Sequence, residues 1–203
     1  MILVTGGAGF LGQALIKRLF ENGEQDIRVV SRNEKALVEL REQYPVKIFL
    51  GDIADQFTCE KVCQGVDRIF HLAAMKHIRI AEENVSECIK TNVIGTLNLL
   101  EETRKNKPKF ILGISTDKAA KVTGVYGATK FLGEKLFNEY ENLNPDTKYR
   151  VVRYGNVLYS SGSVLCKWKD KIQKGEKVII TDPDSTRFYW TVDQAIDLIF
   201  NCL

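Results

Sequence analysis

The chain has 203 residues, 44% of them hydrophobic and 27% charged, a composition that argues for a folded globular protein and against disorder. The formal charge of +3, with Lys and Arg dispersed, argues against a nucleic-acid surface, and no apolar run approaches the roughly 20 residues of a membrane span. Met1 opens directly onto a strand with no signal peptide, and the five cysteines (59, 63, 88, 166 and 202) include no CxxC spacing; reduced thiols, no metal site and a cytoplasmic location are expected.

Strands and helices alternate from the start. Ile2–Val4 is a short apolar run that ends in a glycine turn. Residues 10–22 then show helical periodicity through Leu11, Leu15, Ile16, Leu19 and Phe20, and stop at Gly23. Further strands are predicted over 27–30, 46–50, 66–72, 110–114 and 149–154. A polar helix runs through Tyr44, and helices near 56–64, 86–106 and 126–141 separate the later strands. Apolar strands spaced by helices predict an α/β fold: a Rossmann-type doubly wound parallel sheet with helices on both faces. Residues 1–162 form this predicted domain. Residues 163–203 are expected to be part of a substrate lobe, with helices at 164–174 and 192–203 and a strand at 178–180. Phe188, Tyr189 and Trp190 read as core for that tail.

The segment Val4–Gly12 carries Gly6, Gly9 and Gly12 between a strand and a helix. Glycines there permit a tight turn and close approach of a pyrophosphate, which meets free N–H groups of Phe10, Leu11 and Gly12 at the helix N-terminus. A nicotinamide dinucleotide is therefore expected. After the second strand stand Ser31 and Arg32, not an acidic residue. Both suit a ribose 2′-phosphate and favour NADP, with NAD possible; the competing reading of Arg32 is a solvated surface charge. Asp52 and Ile53 follow the third strand, where they can bind and cover adenine, or simply make a turn.

The strand at 110–114 runs into Ser115, Thr116, Asp117 and Lys118. Tyr126 and Lys130 stand four apart on the next helix, hence on one face. A lysine cation beside the phenol is expected to lower the pKa of Tyr126 and make it a base. Lys130 can also hold the nicotinamide ribose.

These segments resemble the extended short-chain dehydrogenase/reductases. More narrowly, they resemble the C5-inverting UDP-N-acetylglucosamine 4,6-dehydratases of the polysaccharide biosynthesis protein family. The segments are 71–77 (His-Leu-Ala-Ala-Met-Lys-His), 87–92, 115–119, 126–130, 153–157 and 186–188, in family order. The resemblance implies catalytic roles for Thr116, Asp117, Lys118, Tyr126 and Lys130. Tyr126 would be the base on the sugar 4-hydroxyl, Lys118 the base at C5, and Asp117 the acid at the 6-hydroxyl if burial raises its pKa. Ala73, Ala74 and Tyr154 would line the cofactor. Lys76, His77, Asn156 and Arg187 would contact a UDP-sugar, although His77, Asn156 and Arg187 also read as surface, turn and salt-bridge residues. Asn92 reads as a support for the strand-end loops. The resemblance further implies a homo-oligomer, and family members continue well past Arg187, so the substrate lobe is expected to be incomplete here.

Overall fold

In the computed structural model, which describes residues 1–180 and 182–203, six strands form one sheet. In chain order the first elements are β1 (Ile2–Thr5), α1 (Phe10–Glu21), β2 (Ile27–Ser31), α2 (Glu34–Gln43), β3 (Lys47–Leu50), α3 (Gln56–Cys63) and β4 (Arg68–His71). Then come α4 (Ile78–Glu83), α5 (Val85–Ile89), a π-helical turn (Lys90–Ile94), α6 (Gly95–Asn106), β5 (Phe110–Thr116), a 3-10 turn (Asp117–Ala119), α7 (Val125–Leu143) and β6 (Lys148–Tyr154). The sheet order is β3-β2-β1-β4-β5-β6, and every pairing is parallel. This is the doubly wound arrangement the sequence predicts.

Alternation along each strand builds two cores. Ile2 and Val4 of β1 join Ile27, Val29, Phe70 and Leu112 on one face, packed under Leu15, Ile16 and Leu19 of α1. Leu3 points the other way and meets Val30, Ile69 and Ile111 beneath α3, α6 and α7. Each fully buried aliphatic side chain contributes about 1.5–3 kcal/mol, so the central strands are fixed in register by both faces at once.

The single helix predicted over 86–106 is interrupted. A π turn at Lys90–Ile94 carries the buried Thr91 and Asn92, and such turns reposition side chains that a regular helix would point elsewhere.

The C-terminal segment departs most from expectation. It contains β7 (Asn156–Val157), α8 (Val164–Gln173), β8 (Tyr189–Trp190) and α9 (Val192–Phe200). Residues 178–180 form no strand, and Ile179 and Ile180 are exposed; among the described residues no strand pairs with them. Instead β8 pairs in parallel with β7. Phe188 and Tyr189 are not core, being 75% and 49% exposed. The 162/163 boundary is crossed by α9, whose Ile196 and Ile199 are buried in the same core as α1. A capping box at Thr191 and Gln194 starts that helix, and Asp197 pairs with Arg18 of α1 at 2.7 Å. Among the described residues all five cysteines are free, and no helix is long and apolar enough to cross a membrane.

Candidate active site

A cleft of about 1190 Å³ opens at the C-terminal ends of the strands. It sits where the sheet order reverses between β1 and β4, the place where doubly wound sheets bind ligands. Of the residues expected to bind a cofactor, Gly6, Gly9, Phe10, Leu11, Gly12, Ser31, Arg32, Asp52, Ile53, Ala73, Ala74, Tyr126, Lys130 and Tyr154 all line it.

The glycine turn fits a dinucleotide. Gly6 has φ +67°, and a Cβ there would stand 2.8 Å from the backbone of Ala73. The first backbone bond of α1 runs from Gln13 N–H to the Gly9 carbonyl, at 2.9 Å. The N–H groups of Phe10, Leu11 and Gly12 therefore precede the helical ladder, and the first turn holds no acidic residue to compete with a phosphate. At the other end of this half-cleft Arg32 Nη1 lies 3.4 Å from Asp52 Oδ2. Asp52 Oδ1 accepts from the Ala54 N–H at 2.9 Å. Arg32 is 57% exposed, lines the cleft and shares its charge with Asp52.

The catalytic candidates converge from β5, the 3-10 turn and α7. Lys118 Nζ donates to Asp117 Oδ1 at 2.9 Å and to Asn156 Oδ1 at 3.2 Å. The Thr116 hydroxyl also donates to Asp117 Oδ1, at 2.9 Å. Lys118, Thr116, Asn156, Lys76 and His77 line the cleft directly, whereas Asp117 is not among the lining residues and contacts the lining Lys118. Arg187 is not brought in: it is exposed, and its Nη1 donates to the Thr186 carbonyl beside it.

Two protonation expectations are corrected. Burial raises the Asp117 carboxyl, but its bonds from Lys118 and Thr116 outweigh that and hold it below the usual range. Burial pushes the Tyr126 phenol up to about 12, with the Thr116 hydroxyl countering only in part. Burial pulls the Lys130 amine down as well, to about 8. Burial also lowers Lys76, and it lowers His77 with help from Lys76 and Lys167.

A buried polar chain supports the site. Thr5 Oγ1 is 2.8 Å from His71 Nδ1, and His71 Nε2 is 2.9 Å from Thr96 Oγ1. Asn92 clamps the Met75 backbone in both directions, at 2.7 and 2.9 Å, and donates to Thr129 of α7 at 3.0 Å. Asn92 thus supports the loops as its place in the sequence suggests. Sequence reasoning missed Lys35, Thr91 and the Ser160–Ser163 loop as cleft lining. Lys35 lies three residues beyond Arg32 and could have been found by its place after β2, but the serine loop carries no local signal.

Residues 2–203 match the family described as polysaccharide biosynthesis protein. The chain belongs to that family. It is 42% identical over 204 residues to an uncharacterized membrane protein of Methanocaldococcus jannaschii, covering 98% of this chain and 61% of that one. It is 38% identical over 207 residues to a UDP-N-acetylglucosamine 4,6-dehydratase (inverting) of Campylobacter jejuni, covering 98% and 62%. A solved UDP-glucose 4-epimerase of Thermotoga maritima with UDP-glucose superposes with a TM-score of 0.89 at 29% identity, over 100% of this chain and 72% of that one. This family member thus spans about three fifths of the length of those two curated relatives.

Proposed function

We propose that the chain carries the cofactor site and catalytic centre of an NADP-dependent sugar-nucleotide 4,6-dehydratase. Its substrate is a UDP-N-acetylhexosamine (UDP-N-acetylglucosamine), its product a 4-keto-6-deoxy sugar nucleotide with C5 inverted, made for glycan precursor synthesis. The observation that carries this reading is the Lys118 amine, which lines one cleft with Asn156, Tyr126 and the glycine turn and is bonded to both Asn156 and the Asp117 carboxylate. An acid and an amine in contact serve elimination of water, a step that simple oxidoreduction does not need.

A bound nicotinamide supplies a hydride acceptor at the start and the same hydride at the end, with no net oxidation. Tyr126 accepts the proton of the sugar 4-hydroxyl in its phenolate form, the form whose negative charge the Lys130 ammonium offsets. The 4-ketone so formed makes the C5–H bond acidic. In the ion pair, one proton moving from Lys118 Nζ to Asp117 Oδ1 creates a neutral amine and a carboxylic acid together. Substrate closing over the pair favours that neutral form by excluding water. Lys118 then removes the C5 proton while Asp117 protonates the departing 6-hydroxyl, which leaves as water and restores the ion pair. Such coupled groups titrate as a unit. A solvent proton added to the opposite face of C5 accompanies the hydride returned to C6, and Tyr126 releases the proton it took from the 4-hydroxyl. Lys76 and His77 contribute cationic and hydrogen-bonding contacts from the β4 loop, and Asn156 orients Lys118.

The test is incubation with UDP-N-acetylglucosamine and catalytic NADP+ in deuterated water, followed by NMR. The expected product is a 4-keto-6-deoxy sugar with deuterium at an inverted C5. Dinucleotide binding without product, or a 4-epimer that retains its 6-hydroxyl, would overturn the reading. Lys118→Ala is expected to cut turnover about 1000-fold and leave dinucleotide affinity within about twofold; equal loss of both would remove Lys118 from the chemistry.

A further inference from the structure

Lys130 borders two spaces. One is the cleft, shared with Tyr126. The other is a small cavity of about 20 Å³, lined also by His71, Asn92, Thr96, Ser115, Thr129 and Glu134. A lysine amine in such surroundings loses most of its hydration, and its charge survives only if a fixed neighbour compensates.

The anionic group lining that cavity is Glu134, one helical turn beyond Lys130 on α7. Its carboxylate is held from two other elements. Arg153 of β6 donates its Nε to Oε1 at 2.6 Å, and the Ser115 hydroxyl of β5 donates to the same oxygen. Its side chain is only 13% exposed, against 45% for Arg153. The anion therefore sits inside, while the arginine that anchors it faces solvent.

Among the described residues that line the cavity, no second cation joins Lys130. The Thr96 hydroxyl gives its proton to the Asn92 carbonyl at 2.7 Å, so it accepts from His71 Nε2. The Ala73 N–H donates to Thr5 Oγ1 at 3.2 Å, whose own proton then points at His71 Nδ1. His71 of β4 is thereby satisfied as the neutral Nε2–H tautomer. Asp117 is engaged with Lys118 and Thr116, and Tyr126, Tyr154 and the Cys88 thiol of α5 complete the surroundings.

We infer that Glu134 is a positioning residue: the counter-charge that shares the cavity with Lys130 and keeps it an ammonium beside Tyr126, held in place by Ser115 and by both arms of Arg153, with His71 neutral. The inference deepens the roles proposed for Tyr126 and Lys130 and rests on that reading for its catalytic meaning. Burial pulls Lys130 down to about 8, with Glu134 acting in the opposite direction. Lys130 therefore keeps most of its charge at neutral pH, and loss of the anion lowers that share.

The experiment is an NMR titration of lysine side-chain amines in the cofactor-free chain, with Lys130 assigned by the signal lost in Lys130→Arg. In the native chain the amine should titrate near 8. In Glu134→Gln the inflection should fall by about one unit or more, while Glu134→Asp, which keeps the charge, should restore most of the native value. An inflection unchanged in Glu134→Gln, or lowered equally in both variants, would overturn the inference. Because the readout needs no turnover, a shifted inflection in a chain that makes no dehydrated sugar would sink the proposed reaction and leave the Glu134–Lys130 coupling standing.

Discussion

Two loops rich in small residues each lead into a helix at the cleft, and they are built on opposite principles. The turn from Gly6 to Gly12 is pressed between strands, and the helix it opens buries Gly12, Leu15, Ile16 and Leu19. The loop from Ser160 to Ser163 opens α8, which buries none of its residues even though its start is capped by Ser163. Helix formation thus needs only a cap and suitable residues, whereas helix placement needs a surface to bury against. The dinucleotide half of the cleft is rigid by packing. Its other half is held by the short β7–β8 pair and by α8, so the two halves differ in what fixes them.

The sharpest way to break this comparison is at two glycines of nearly equal φ. Gly6 (φ +67°) faces the Ala73 backbone at 2.8 Å, while Gly175 (φ +69°) has open space around its missing Cβ. Gly6→Ala should cost about 4 kcal/mol or more and abolish dinucleotide binding, whereas Gly175→Ala should cost only about 1–2 kcal/mol. Calorimetry and dinucleotide titration check both, and equal costs would mean that the turn is not packed as described.

The polar chain through His71 offers the next test. Burial, with Lys130 adding to it, pushes His71 from 6.5 down to about 3. A group with a depressed folded pKa contributes stability that is present above its unfolded pKa and lost as pH falls toward the folded one. Unfolding should therefore become easier between pH 6.5 and about 3, by roughly 3 kcal/mol at pH 4. Urea midpoints measured along that range in the native chain and in His71→Asn should differ in slope, the variant being flatter. Parallel slopes would exclude His71 as the source.

Within the C-terminal segment, α9 and α8 should separate by about 3 kcal/mol. Ile199→Ala removes a side chain that is fully buried and should cost about that much. Ile172→Ala, at a position 67% exposed, should stay within about 0.5 kcal/mol. Smallest is the cofactor choice. Arg32→Asp should move preference from NADP toward NAD by about tenfold, and an unchanged ratio would place the 2′-phosphate elsewhere.

Much of this architecture is legible in the sequence alone. Strands buried on both faces must be apolar at nearly every position, so β1, β2, β4 and β5 announce themselves, and the glycine spacing marks the turn between β1 and α1. Thr116, Lys118, Tyr126 and Lys130 could be placed at the cleft because residues beyond parallel strand ends face it. The β7–β8 pair was not legible. Two residues per strand, meeting across some thirty positions of chain, leave no periodicity to read. Residues 178–180 show the converse error, because an apolar, β-branched run is a strand only where a neighbour can accept its hydrogen bonds.

What the sequence determined by itself is the list of chemical groups, the parallel sheet and the turn that meets a pyrophosphate, since each follows from local spacing and from burial on two faces. What only the tertiary structure decided is the state of those groups. Asp117 is held as a carboxylate because the Lys118 amine and Thr116 hydroxyl reach it, and Tyr126 is driven up because its surroundings exclude water. Burial pulls Lys130 down to about 8 against the opposing charge of a glutamate that β5 and β6 hold in place. Desolvation and charge are properties of the assembled surroundings, and no stretch of chain carries them alone.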